Sequence, residues 1–117
     1  MLVNADCTLY RFENNGFVRY IINDIYWREN KAGNVLKSGL VNADRVTIFL
    51  YSDAAVPRTP TKDMLVKGIC DFEFDNSTQK AVSESLKAFR ENFDFVTVMS
   101  VDNMMFGGLP HIEISCQ

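Results

Sequence analysis

The fold is decided by residues 7–27, which read CTLYRFENNGFVRYIINDIYW. Residues 7–12 have the composition of a β-strand, and the Asn-Asn-Gly that follows at residues 14–16 is a turn signal leading into a second strand over residues 17–27. The apolar side chains of this second strand fall on both faces: Val18, Tyr20 and Ile22 on one, and Phe17, Ile21, Ile25 and Trp27 on the other. Such a strand lies either between two layers or in a closed barrel whose outer face meets a partner.

Further strands are predicted along the rest of the chain. Residues 45–51 alternate between polar and apolar side chains, and residues 64–74 form another strand in which Gly68 marks a bulge or kink. Two more strands, over residues 95–101 and 112–116, end the chain. About six strands in one domain, residues 1–117, indicate a β-rich α+β fold, either a small β-barrel or a sandwich.

One amphipathic helix is predicted over residues 77–92. Asn76 or Ser77 can cap its first free amides, because a short side-chain oxygen accepts their hydrogen bonds. Its apolar stripe, formed at helical spacing, consists of Val82, Leu86, Phe89 and Phe93. We expect this stripe to pack on the core.

Charge and cysteine content exclude several classes of protein. The net charge is −3 and the basic residues are scattered among acids, which argues against general binding to nucleic-acid phosphates. The N-terminal residues do not resemble a signal peptide, and no apolar run is long enough to span a membrane. The three cysteines, Cys7, Cys70 and Cys116, are widely spaced, so we expect reduced, buried thiols in a protein made in the cytoplasm.

The sequence predicts no enzyme and no cofactor or metal site. His111 is the only histidine, and no nucleophile motif accompanies it. Asp71, Glu73 and Asp75 share one side of a predicted strand and could hold Ca²⁺ or Mg²⁺, but a solvated strand face that leads into a helix is the simpler interpretation. These features favour a binding or assembly module.

Two loops are the candidate contact sites. Residues 52–62 contain two prolines, which would stiffen an extended arm, and residues 102–111 hold four large apolar side chains in a glycine-rich loop. Those apolar side chains either fold back over the core or are held for a neighbouring subunit. The predicted interface residues are Val56, Pro57, Arg58, Pro60, Met104, Met105, Phe106 and Leu109.

Four short segments carry a resemblance to a known family. They are residues 4–10 (NADCTLY), 38–47 (SGLVNADRVT), 63–68 (DMLVKG) and 96–103 (VTVMSVDN), the last followed by Phe106-Gly107 and Pro110-His111. In this order the chain resembles a family of short proteins, of undescribed role, from tailed phages and prophages of Firmicutes. Residues 52–62 are shorter than the corresponding insertion in that family, which puts in doubt a loop-specific role such as plugging a channel.

The resemblance implies a structural protein of the virion, encoded between the capsid and tail genes. It implies a head–tail connector, head-completion or stopper role, with a small barrel arranged as a homo-oligomeric ring in the neck. The partners would be the portal or adaptor and the tail terminator. DNA would pass through the ring without being read by sequence. The alternative class is a small cytosolic ligand-binding barrel protein, or an enzyme, whose barrel interior is the site.

Overall fold

The computed structural model describes residues 3–30, 45–51, 55–104 and 111–117. It contains six strands, numbered β1 to β6, and a helix, α1. Their bounds are β1 Ala5–Glu13, β2 Gly16–Asn30, β3 Arg45–Leu50, β4 Met64–Lys67, α1 Gln79–Asn92, β5 Val96–Met104 and β6 His111–Cys116.

The strands close into an antiparallel barrel in the order β1-β2-β3-β6-β5-β4. This confirms the prediction of a small β-rich fold with one helix, and of the two predicted alternatives, barrel and sandwich, the structure is the barrel. The tight β1–β2 turn forms where predicted, with positive φ at Asn14 (50°) and Asn15 (63°), as this kind of hairpin turn requires.

The barrel interior is filled by apolar side chains from all six strands. This barrel core consists of Cys7, Leu9, Ile22, Ile25, Trp27, Val46, Ile48, Leu50, Leu65, Val98, Ile112, Ile114 and Cys116, all of them buried. The alternation predicted for β3 holds, since Val46, Ile48 and Leu50 all point inward.

A β-bulge in β2 changes which side chains face inward. Cys7 of β1 pairs with Ile22, but Ala5 pairs with Ile25, so β2 has one extra residue between the pairs, and Asp24 there has a φ of 59°. Ile22 and Ile25 therefore both point into the barrel, although their numbers differ by three. The predicted assignment of Ile22 and Ile25 to opposite faces was wrong because strict alternation ignores the bulge.

β4 is shorter than predicted. It ends at Lys67, and Gly68 follows with a φ of 85°, a conformation that favours glycine. Residues 69–76 are irregular and pair with no strand in the described part of the chain. The predicted kink at Gly68 is confirmed, and the predicted continuation of the strand to residue 74 is wrong.

The helix begins later than predicted and has a different cap. The Thr78 side chain accepts a hydrogen bond from the Ala81 amide, so neither Asn76 nor Ser77 is the N-cap. Val82 and Phe89 are buried as predicted, whereas Leu86 and Phe93 are only partly buried.

An aromatic layer joins the helix and residues 70–74 to the outer face of the barrel. Phe89 is fully buried at its centre, with its ring centroid 4.8 Å from that of Tyr10. The other phenylalanines of this layer are Phe12, Phe17, Phe72, Phe74, Phe93 and Phe95. Seven of the nine phenylalanines in the chain therefore belong to a second core.

Candidate functional site

A buried carboxylate organises the proline-containing loop. Asp63 is fully buried, and its Oδ2 accepts hydrogen bonds from the backbone amides of Arg58 (2.6 Å) and Thr59 (2.9 Å). Its Oδ1 accepts a third, of 2.7 Å, from the amide of Phe12 in β1. One side chain thus holds the loop in a closed turn against the hairpin.

The described part of this loop, residues 55–62, is not the extended arm that the sequence predicted. The Thr61 amide donates to the Val98 carbonyl at 2.7 Å, Pro57 is buried, and Val56 packs on the barrel core. The loop folds back because Asp63 and β5 satisfy its backbone amides. Of its four predicted interface residues, only Arg58 and Pro60 are exposed.

The second predicted contact loop lies mostly outside the described residues. Met105, Phe106 and Leu109 fall there, as does the side chain of Met104, whose backbone ends β5. His111 opens β6, and its ring lies 5.1 Å from that of Phe49.

A polar cluster that the sequence reasoning missed lies on the inward-facing side of the β1–β2 hairpin. The Arg11 Nη2 donates to the Tyr20 hydroxyl (2.7 Å) and to Glu13 (3.2 Å), and the Tyr20 hydroxyl donates to Glu13 at 2.7 Å. The hydrogen bond from Tyr20, together with that from Arg11, holds the pKa of Glu13 below its ordinary value. Arg11 and Glu13 continue the alternation of Cys7 and Leu9, so they lie on the same, inward-facing side of β1. Two charged residues on an inward face could have indicated this cluster from the sequence.

The Arg11 guanidinium also stabilises the proline-containing loop. Its Nη1 donates to the Val56 carbonyl at 3.3 Å, and its carbon lies 4.4 Å from the Tyr20 ring centroid. Its Nε is buried without a hydrogen-bond partner in the described part of the chain. The cluster therefore rigidifies the loop and has the contacts of a structural network.

A groove runs between α1 and the end of the β1–β2 hairpin. This helix groove has a volume of about 430 Å³. Its lining combines the apolar residues Phe12, Phe17, Met64, Val82 and Leu86 with the uncharged polar residues Asn15, Thr61, Gln79 and Thr97. Two cations, Lys62 and Arg90, line it, and none of its described lining residues is acidic. The Lys62 ammonium lies 5.3 Å from the Phe12 ring centroid. The groove therefore suits a partner that is both apolar and acidic.

A second outer surface carries acidic side chains, in contrast to the two cations of the helix groove. Asp71 and Glu73 are exposed and lie 3.7 and 3.9 Å from the Arg19 guanidinium. The Asp75 carboxylate instead accepts a hydrogen bond from the Ser77 amide. Within residues 3–30, 45–51, 55–104 and 111–117, no three His, Cys, Asp or Glu side chains are grouped to hold a metal ion.

The thiols are buried and free, as predicted from their spacing. Burial raises the pKa of Cys7 and of Cys116 to about 12. A thiol of that pKa is almost wholly protonated near neutral pH, and the thiolate is the nucleophilic form. These cysteines act as core side chains.

These features define a class: a small barrel with a filled interior, whose candidate binding surfaces lie on its outside. The chain belongs to a family of unknown function (DUF6751), whose model matches residues 2–117. No curated protein and no solved structure matches it. In the described residues, no helix is long and apolar enough to cross a membrane.

Proposed function

We propose that the protein is a structural component of a phage virion at the head–tail junction, a connector, head-completion or stopper protein that assembles as a ring without catalysis. The proposal comes from the resemblance of four sequence segments to short proteins of tailed phages and prophages. Its partners would be the portal or adaptor on one side and the tail terminator on the other.

The filled barrel is the observation that favours an assembly role. Barrel diameter grows with strand number, and about eight strands leave an interior that side chains just fill. Six strands enclose less, and the barrel core here includes side chains as large as Trp27 and Ile48. A ligand-binding barrel needs a lumen, so binding by this chain is better assigned to its outer surfaces.

The proline-containing loop supports the same proposal. Asp63 holds Arg58 in place through its backbone amide while leaving the side chain exposed. A contact residue on a fixed turn loses little conformational entropy when it docks. Residues 55–62 would thus present Arg58 and Pro60 to a neighbouring neck protein.

Imaging of the parent virion tests the proposal directly. Cryo-electron microscopy of the neck should reveal a ring whose subunits fit the barrel and α1. Deletion of the gene should leave filled heads and free tails that do not join, and a plasmid copy should restore joined particles. Normal infectious particles from the deletion strain would rule out the structural role.

A further inference from the structure

We infer that the helix groove of one copy binds residues 69–73 of a second copy, in a head-to-tail contact. The inference rests on the proposed ring and names the surfaces through which its subunits would meet. A contact between two different patches is heterologous, and repetition of it produces a ring if the rotation closes.

Within residues 69–73, the side chains of Ile69, Asp71 and Glu73 are exposed, whereas Cys70 and Phe72 pack on the aromatic layer. Ile69 is 61% exposed, the highest value among the large apolar side chains of the described residues. The Thr8 hydroxyl binds the two residues that flank Ile69. It donates to the Gly68 carbonyl at 2.9 Å and accepts from the Cys70 amide at 2.8 Å. Because both flanking backbone groups are bound, Ile69 does not turn inward.

Negative charge follows this apolar side chain. Asp71 is fully exposed and Glu73 is 76% exposed, although both face Arg19. Exposed ion pairs of this length are weak because water screens them, so they leave the carboxylates available to a second cation. The segment therefore offers an apolar side chain and, two and four residues later, a carboxylate.

The helix groove is complementary to this segment in both respects. Phe12 and Leu86, the partly exposed apolar residues of its lining, would contact Ile69, and Lys62 and Arg90 would face Asp71 and Glu73. In a chain of net charge −3, a groove with two cations and no acid in its described lining is a local exception. Because the two surfaces lie on different parts of the chain, each copy would bind one neighbour on either side.

Charge exchange between copies tests the contact. Variant A, Lys62→Glu with Arg90→Glu, has an acidic groove, and variant B, Asp71→Lys with Glu73→Lys, has a basic segment. Sedimentation analysis at millimolar concentration and low salt should show association of the wild type and monomers for A or B alone. An equimolar mixture should associate again, because each groove then meets a segment of opposite charge. Circular dichroism of A and B should match that of the wild type, which would establish that both variants fold.

Two further variants separate this contact from general charge effects. Ile69→Ser should weaken association roughly tenfold or more, because an apolar side chain is no longer buried. Lys80→Glu with Lys87→Glu makes the same charge change as variant A on exposed helix positions and should associate like the wild type.

Three results would overturn the inference: a wild type that stays monomeric under these conditions, association of variant A like the wild type, or a mixture of A and B that stays monomeric. A neck ring whose subunits meet through other faces would refute this contact and leave the proposed function standing. If the protein associates through this contact but is absent from purified virions, only the proposed function would be refuted.

Discussion

The Asp63 carboxylate lies 2.7 Å from the backbone nitrogen of Phe12, and this hydrogen bond ties the loop before β4 to β1. Two further hydrogen bonds, from the amides of Arg58 and Thr59, end on the same fully buried side chain. Without this carboxylate, three backbone amides would lack their acceptor.

Asp63→Ala should therefore lower the free energy of unfolding by roughly 3 kcal/mol or more, since hydrogen bonds to charged groups contribute about 1.5–3 kcal/mol each. Urea denaturation measures the change. Asp71→Ala is the matched control, because that side chain is fully exposed, and it should cost less than about 0.5 kcal/mol. Equal losses for the two variants would contradict the role of Asp63.

Gly16→Ala tests how residues 75–77 are joined to the hairpin. The Asn76 side chain makes two hydrogen bonds with the Phe17 backbone, and a Cβ at Gly16 would clash with its Oδ1. Displacing Asn76 should cost about 1–2 kcal/mol, the value of two ordinary hydrogen bonds. In an Asn76→Ala background the same substitution should cost much less, because the displaced oxygen is gone. Additive losses in this double-mutant cycle would show that the two residues are independent.

Phe89 should be the most sensitive position of the helix. Phe89→Ala removes a fully buried ring from the centre of the aromatic layer and should cost about 3–5 kcal/mol. Leu86→Ala, at a partly buried position, should cost only about 1–2 kcal/mol. Thermal denaturation compares the two, with Ser83→Ala as an exposed control. A larger loss for Leu86→Ala would mean that the helix is rotated on the barrel.

The buried thiols should make stability fall in alkaline solution. The pKa of Cys7 and of Cys116 is about 12 in the folded protein, against 9.0 for an ordinary thiol, so only the unfolded chain loses these protons just above pH 9.0. Stability is therefore intact below pH 9.0 and is lost as the pH rises towards about 12, by up to about 1.4 kcal/mol per pH unit for each thiol.

Urea denaturation across this alkaline range tests the effect. The double variant Cys7→Ala, Cys116→Ala should lose stability less steeply than the wild type. Burial also raises the pKa of Tyr10. The Tyr10→Phe variant therefore measures how much of the alkaline loss of stability comes from this tyrosine. Identical slopes for the wild type and the double cysteine variant would refute the assignment.

The exposed Arg58 side chain allows the proposed assembly role to be tested. Arg58→Glu should leave the fold unchanged, because the side chain is exposed and only the backbone amide binds Asp63. Under the proposed function, heads carrying this variant should join tails less often, as counted by electron microscopy and plaque titre. Lys87→Glu on the helix makes the same charge change as a control. A normal titre for Arg58→Glu would remove it from the contact surface.

The predictions from sequence were most accurate where local pattern and tertiary context agree. The Asn14-Asn15-Gly16 turn, the alternation of β3 and the apolar stripe around Phe89 follow from backbone preference and periodicity, which neighbouring residues specify. The fold prediction, a small barrel or sandwich, rested on the same short strands and turns, and the structure is the barrel.

Two failures, the bulge in β2 and the end of β4 at Gly68, are local backbone features that strict alternation ignores. The others arise from residues that are distant in sequence. Asn76 does not cap the helix because the Phe17 backbone, far away in sequence, binds its side chain. Residues 55–62 fold back because the Val98 carbonyl of β5 accepts from the Thr61 amide, in addition to the acceptors that the neighbouring Asp63 supplies. The helix groove was missed because Lys62 and Arg90 are brought together only by the packing of α1.

The bulge at Asp24 limits how this chain can change in evolution. Loss of that single residue would place Ile22 and Ile25 two apart, so strict alternation would keep Ile25 and Trp27 inside the barrel, whereas loss of two residues would turn both of them out. A natural deletion between Ile22 and Ile25 should therefore remove one residue and not two. A homologue one residue shorter here would pair its β2 with β1 in a regular ladder and would need no compensating change in β1.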